Sequence, residues 1–430
     1  MLKREIRRWD LVLLMINSII GAGIFGLPAT IAGQSGIYSI PAIFACGLVV
    51  FIIALCFSEV ASRFTRTGGP YLYTLNAFGK IPAVTIGWIL LITRLATYAA
   101  QINLLVSYLG FFHPVLALPV AKQTAITVIT IALSYITYRG VKTSTFTNNL
   151  LAIAKLLPLF LFVIIGAFFI DPSLFDTGQP LPPLPEFSGS VFVLIFAFTG
   201  FEAILVNTGE MQNPEKNIPF ALMTALLFVA FFYGMIQIVC MGTLPDLAGS
   251  EYPLSAAATL FMGPAGALLI SIGAVLSVGG ALNTVMLVGS RVPFAFSEEN
   301  QLPKVFSILH PKFKTPVWSL LTFTAIALFV SLTGTFIYAV TISVISKILI
   351  FLTVSAALIR FRMTDKGSVN FFRVRYGILL AIISIIACIW LISGTKLQEL
   401  VAVAITIGTG LFLYFLFRLL SGERSTKHDD

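Results

Sequence analysis

Twelve apolar runs recur along this chain, at lengths that a bilayer requires and a globular core does not. A transmembrane helix needs about 20 predominantly apolar residues. Runs of that order lie near 11–33, 38–63, 82–110, 120–139, 146–170, 187–209, 217–243, 262–290, 316–334, 337–360, 371–393 and 397–418. Charged residues make up 10% of the 430 positions, against about 25% in a soluble domain, too few to coat a water-facing surface. The expected fold class is therefore an all-α membrane protein with 12 transmembrane helices, residues 1–430 forming a single transmembrane domain. The basic start (Lys3, Arg4, Arg7, Arg8) ahead of an apolar run resembles a secretory leader. That run is too long, is interrupted by glycine and is followed by many further spans, so a leader is rejected.

Orientation follows from where the cations fall. With the N-terminus inside, Arg63, Arg66, Lys80, Arg139, Lys142, Lys216, Arg291, Lys304, Lys312, Lys314, Arg360, Arg362, Lys366, Arg373, Arg375, Arg418, Arg424 and Lys427 join the four tail cations on that side. Only Lys122 and Lys396 fall outside. Short loops biased in this way fix topology, which predicts a multi-pass protein of the cell (plasma or inner) membrane with both termini cytoplasmic. The net charge of +9 then reflects inner loops, so no nucleic acid partner is implied. The cysteines (Cys46, Cys56, Cys240, Cys388) sit singly in apolar runs, with no CxxC pair, so no disulfide framework or metal site is expected. The chain carries no P-loop or other nucleotide motif. Neither a nucleotide nor a cofactor is expected, and any transport must draw on ion or substrate gradients.

Two spans are interrupted. The first, LVLLMINSIIGAGIFGLPATIAG, places Gly21, Gly23 and Gly26 in its middle and Pro28 just beyond. Glycine costs about 1 kcal/mol against alanine inside a helix. Unpaired backbone at membrane depth is tolerated only where it lines a cavity. Close packing through small residues is the alternative. The literal GxGxxG in GAGIFG lacks the strand and acidic residue of a dinucleotide fold and is accidental. The sixth span, VFVLIFAFTGFEAILVNTGE, has Gly200 between Thr199 and Phe201, and Glu202 at membrane depth. Breaks in spans one and six suggest two inverted five-helix repeats with a substrate between them. The half-helix after the first break would aim its amides, those of Ala22 and Gly23, at a carboxylate. Carbonyls near Ile19 and around Phe198–Thr199 would accept from an ammonium group. A zwitterion suits that arrangement.

The segments IIGAGIFGLP, SEVASRFTRTGGPYLY, FAFTGFEAILVNTGEMQNPEKNIPFAL and SRVPFAFSEENQLPKVFSILHPKFKTP together resemble the amino acid–polyamine–organocation superfamily, over essentially the whole chain. The resemblance implies an amino acid permease of LeuT-type fold. Its first repeat would cover about 11–170 and its second about 187–360, with discontinuous helices 1 and 6, and two extra helices would follow at about 371–418. It also implies carboxylate binding at the Gly21–Gly23 turn and an aromatic gate at Phe196; the alternative for Phe196, one of 38 phenylalanines, is lipid contact or packing.

Ionisable residues inside a span are functional candidates by default: here Arg94, Lys155, Glu202 and Lys347. Lys155 either snorkels to the inner surface or lodges beside the first break. The resemblance implies the second, since sodium-independent members carry a lysine at this place in NNLLAIAKLLP; Ser277 is a possible neighbour. Glu202 follows the second break and is expected to bind a substrate cation, switch with pH or pair with a basic residue such as Arg94 or Lys347. Three cations against one acid disfavour polyamines and dibasic amino acids, which points to neutral substrates and leaves acidic ones open. The leading reading is a sodium-independent, proton-coupled amino acid symporter working by alternating access. The alternative is an exchanger of neutral or cationic amino acids or amines. A non-transporting sensor is disfavoured by the short tails, and an enzyme by the absence of any nucleophile–base or metal constellation.

Overall fold

In the computed structural model, residues 7–64, 69–139, 145–175, 180–204, 212–298, 301–364 and 371–420 are described, with 117, 145–154, 203, 214–215, 417–418 and 420 described by backbone alone. Several predicted inner cations (Lys3, Arg4, Arg66, Lys142, Lys366, Arg424, Lys427) lie outside the described residues, as do 205–211 and 299–300 of the quoted motifs.

The described chain is helical, with one isolated antiparallel bridge at Leu309 and Pro316. The first run divides into α1 (Arg8–Ile19) and α2 (Ala22–Ser35), followed by α3 (Ser39–Ser62), α4 (Gly69–Phe78), α5 (Lys80–Gly110), α6 (Pro119–Tyr138) and α7 (Thr145–Gly166). The sixth run divides into α8 (Leu184–Phe198) and α9 (Phe201–Ile204). Then come α10 (Pro214–Thr243), α11 (Pro253–Glu298), α12 (Val317–Thr333), α13 (Phe336–Thr364), α14 (Gly377–Ser393) and α15 (Leu397–Leu420). Among the described residues, seven helical segments are long and apolar enough to cross a membrane, and four shorter apolar helices accompany them.

The run positions match the expected ones, with three differences. The stretch expected to link the second and third runs contains α4, which lies against α5 and α13. The loop expected at 244–261 is helical from Pro253, because α11 starts early and bends at Gly263, whose φ is +67°. The break between the ninth and tenth runs falls at Gly334 and Thr335.

Packing inverts the soluble pattern. Leu48, Phe231, Phe329 and Ile386 point outward and are exposed, whereas Ser271, Ser343, Ser346 and Gln237 are buried. Such polar groups need partners inside: Ser35 pairs with Ser190 at 2.7 Å, Ser255 with Ser271 at 2.8 Å and Ser355 with Ser384 at 2.8 Å. At the end of α3, the fully buried Glu59 carboxylate accepts from Arg63 at 3.0 Å, from Arg362 Nε and Nη2 at 2.8 and 2.5 Å, and from the Val374 amide at 2.8 Å. Arg362 also donates to the Val374 carbonyl at 2.5 Å. One carboxylate thus ties α3 to α13 and to the segment that enters α14.

Removing one partner of such a buried, hydrogen-bonded group leaves the other charge uncompensated. Glu59→Ala is expected to cost about 3–5 kcal/mol and to lower the melting temperature of the detergent-solubilised protein. An unchanged melting temperature would show that the network does not hold these ends together.

Candidate functional site

The site forms where two helices stop being helices. α1 ends at Ile19; Ile20 has ψ of 97° and Gly21 lies at φ −136°, ψ −141°. The last carbonyls of a helix have no partner within it. Here the Lys155 ammonium, reaching from α7, donates to the Asn17 carbonyl and to the Ile20 carbonyl, the latter at 2.6 Å. The ammonium is therefore lodged at the break and does not snorkel. Tyr233 from α10 donates to the Ile19 carbonyl at 3.3 Å and the Ala197 carbonyl at 3.2 Å, so one hydroxyl spans both interrupted helices.

The second break lies at Thr199 and Gly200. Gly200 has φ +127°, and a Cβ there would stand 2.4 Å from the Ser18 carbonyl oxygen. The Ser18 hydroxyl donates to the Gly200 carbonyl at 2.8 Å, and the Gly200 amide donates to the Glu202 carboxylate at 2.8 Å. Lys347, from α13, donates to the Thr199 hydroxyl, and its Nζ lies 5.2 Å from the centre of the Phe196 ring. Each break thus meets a lysine from a different helix.

The glycines of the first run divide between the two readings. Gly21 is the break, with no side chain crowding it. Gly23 and Gly26 serve close packing: a Cβ would come 2.5 Å from the Ala197 Cα at Gly23, and 2.7 Å from the Phe336 ring at Gly26.

Between the breaks lies a cavity of about 290 Å3. It is lined by Ile19, Gly21, Ala22, Gly23, Phe196, Thr199, Gly200, Lys155, Glu202 and Ser277, ten of the eleven expected site residues. Phe198, the eleventh, is fully buried and packs edge-on against Tyr233 at 5.3 Å, so its ring is part of the packing behind the site. Phe196 of the lining meets Phe336 edge-to-face at 6.3 Å. The lining continues past the breaks to Leu14 of α1 and Ile204 of α9.

Several lining residues escaped sequence reasoning. Asn17, Thr97, Gln101 and Thr284 are polar positions within apolar runs, a signal that was available, although uncharged polar side chains are common in such helices. Among the described residues, Asn17 Oδ1, Gln101 Oε1 and Ser277 Oγ are buried without a hydrogen-bond partner. With the amides that open α2, they are groups a bound solute can engage. Arg94 and Lys347 line the same cavity as Glu202.

The chain matches the amino acid permease family model over residues 6–413. It belongs to that family. The permease is a member of the amino acid–polyamine–organocation superfamily, whose proteins are transporters and not enzymes. It is 30% identical to the branched-chain amino acid permease BcaP of Bacillus subtilis, over 97% of this chain and 93% of that one. It is 28% identical to the methylthioribose transporter of the same organism, over 97% and 94%. The serine/threonine exchanger SteT, also of Bacillus subtilis, is 28% identical over 95% of each. The permease is a multi-pass membrane protein.

Gly200 offers a direct check on the second break. Gly200→Ala forces an L side chain into the left-handed region, costing about 1–3 kcal/mol, and drives a methyl into the Ser18 carbonyl. The variant is expected to lose transport and to elute broadly in size-exclusion chromatography. Wild-type behaviour would mean that this backbone path is not needed.

Proposed function

We propose that this permease is a sodium-independent secondary transporter of amino acids, coupled to protons and working by alternating access. In this reading the fold is LeuT-type: two inverted five-helix repeats, about 11–170 and 187–360, are followed by two further helices, and both termini face the cytoplasm. The position of the two interrupted helices, first and sixth among the runs, supports the repeat. The bias of Lys and Arg toward one set of loops supports the orientation.

One observation carries the coupling. The Lys155 ammonium donates to the Asn17 and Ile20 carbonyls at the first break. A sodium ion at such a break would need these oxygens as ligands; a fixed ammonium already engages them and already supplies the positive charge. A lysine that can give up its proton in a buried site couples its contacts to the proton gradient. When it is neutral, its hold on the α1 carbonyls weakens and α1 is freer to move. At the same break Ala22 and Gly23 line the cavity, and the amides that open α2, without partners in the helix, suit a substrate carboxylate. On the other side Phe196, edge-on to Phe336, suits a gate that opens as the helices rock.

A second reading, exchange, is favoured by similarity to a serine/threonine exchanger. The two separate in proteoliposomes. Proton symport predicts that an inward proton gradient alone concentrates labelled amino acid, without sodium, and that Lys155→Ala abolishes the accumulation. Uptake that ignores the gradient and requires amino acid inside the vesicle would establish exchange. A strict need for sodium would refute the role given to Lys155.

A further inference from the structure

Resting on the transporter reading above, we propose that the substrate is an amino acid whose side chain carries a second carboxylate, received by Arg94 with Lys347 beside it.

The placement of the two cations follows from how α5 and α13 pack. Leu104 and Phe336 both lie within 3 Å of where a Gly26 Cβ would stand, the first at 2.9 Å and the second at 2.7 Å. Further along, the Thr97 and Ser343 hydroxyls pair at 2.9 Å. Seven residues back along α5 therefore matches seven forward along α13, so the helices run antiparallel. One more helical turn in the same direction reaches Arg94 on α5 and Lys347 on α13. Guanidinium and ammonium lie at one level, and both line the cavity.

Their surroundings differ. Lys347 is engaged by the Thr199 hydroxyl and faces the Phe196 ring. Arg94 has five N–H donors in a planar fork, yet among the described residues no acceptor lies within hydrogen-bond reach of it. Glu202 acts on Arg94 and Lys347 through its charge, and its hydrogen bond comes from the Gly200 amide. Lys155 is held by the Asn17 and Ile20 carbonyls. The cavity thus presents three cations and one carboxylate, Glu202, whose charge is shared by Arg94 and Lys347; the cation without a hydrogen bond among the described residues is the type best shaped for a bidentate carboxylate. In a low-dielectric interior that excess repels a further cation and favours a further anion. With the α-carboxylate at the start of α2, a side chain reaching across the cavity brings its own carboxylate to α5.

A chloride ion from solution would offset the same charge, so the experiment separates the two sources. Uptake of labelled glutamate, aspartate, glutamine, asparagine, leucine, serine and lysine is measured in proteoliposomes, in chloride and in gluconate. The expected result is uptake of a dicarboxylic amino acid about 10- to 100-fold better than of its amide, independent of chloride. Arg94→Gln should remove that preference, and Arg94→Lys should restore part of it. Should Arg94→Gln fail to fold, the wild-type panel decides alone. Transport of leucine or serine without preference for an acid overturns the inference and leaves the transporter reading standing. Neutral transport that vanishes in gluconate assigns the excess charge to chloride and overturns it equally. If no amino acid moves in any arm, both the inference and the reading beneath it fall.

Discussion

Backbone groups in a bilayer must find partners inside the protein, because lipid offers none. Every feature of the site descends from two places where this permease breaks that rule locally and then repairs it. At Ile20 and Gly21, and again at Thr199 and Gly200, the helical ladder stops. The freed groups are taken by Lys155, Tyr233, Ser18 and Glu202. What remains open, the amides that begin α2 and the polar atoms around them, faces a cavity. The cavity is here the remainder of an incomplete repair.

The repair also couples the two breaks. Ser18 precedes the first break and donates to Gly200 in the second. Tyr233 touches the carbonyls of Ile19 and Ala197 together. The absence of a side chain at Gly200 lets α9 start within van der Waals distance of α1. Moving either interrupted helix would therefore disturb the other. At the far end of α3, Glu59 binds α13 and the approach to α14 through three donors, with a fourth from Arg63 at the end of α3.

Much of this was legible in the residues. The apolar runs appear where the spacing placed them, since a hydrocarbon slab imposes one length on every crossing. The breaks were readable because glycines inside a span, followed by Pro28 at the first and by Glu202 at the second, are costly at membrane depth unless they serve a purpose. Lys155 and Glu202 were readable for the same reason. Where reasoning fell short, the signal was faint or absent. Helix α4 is too short and too mixed to stand out in a loop. Phe198 was expected to contribute its backbone carbonyl beside the break; its ring packs against Tyr233, a contact that nothing in the sequence marks. Tyr233 itself is one aromatic residue in a long apolar run and carries no mark of its role.

By itself the sequence determined the medium, the helices and the points where two of them fail, because hydrophobic length, charge scarcity and backbone strain are local quantities. Only the tertiary structure decided which side chains meet at those points. Lys155 and Ile20 are 135 residues apart, and Lys347 and Thr199 are 148 apart. Whether an intramembrane cation is neutralised, held by carbonyls or left facing a cavity depends on which helices pack together. Helix packing in lipid rests on small-residue contacts such as Gly23 against Ala197, which no period or composition in the chain announces.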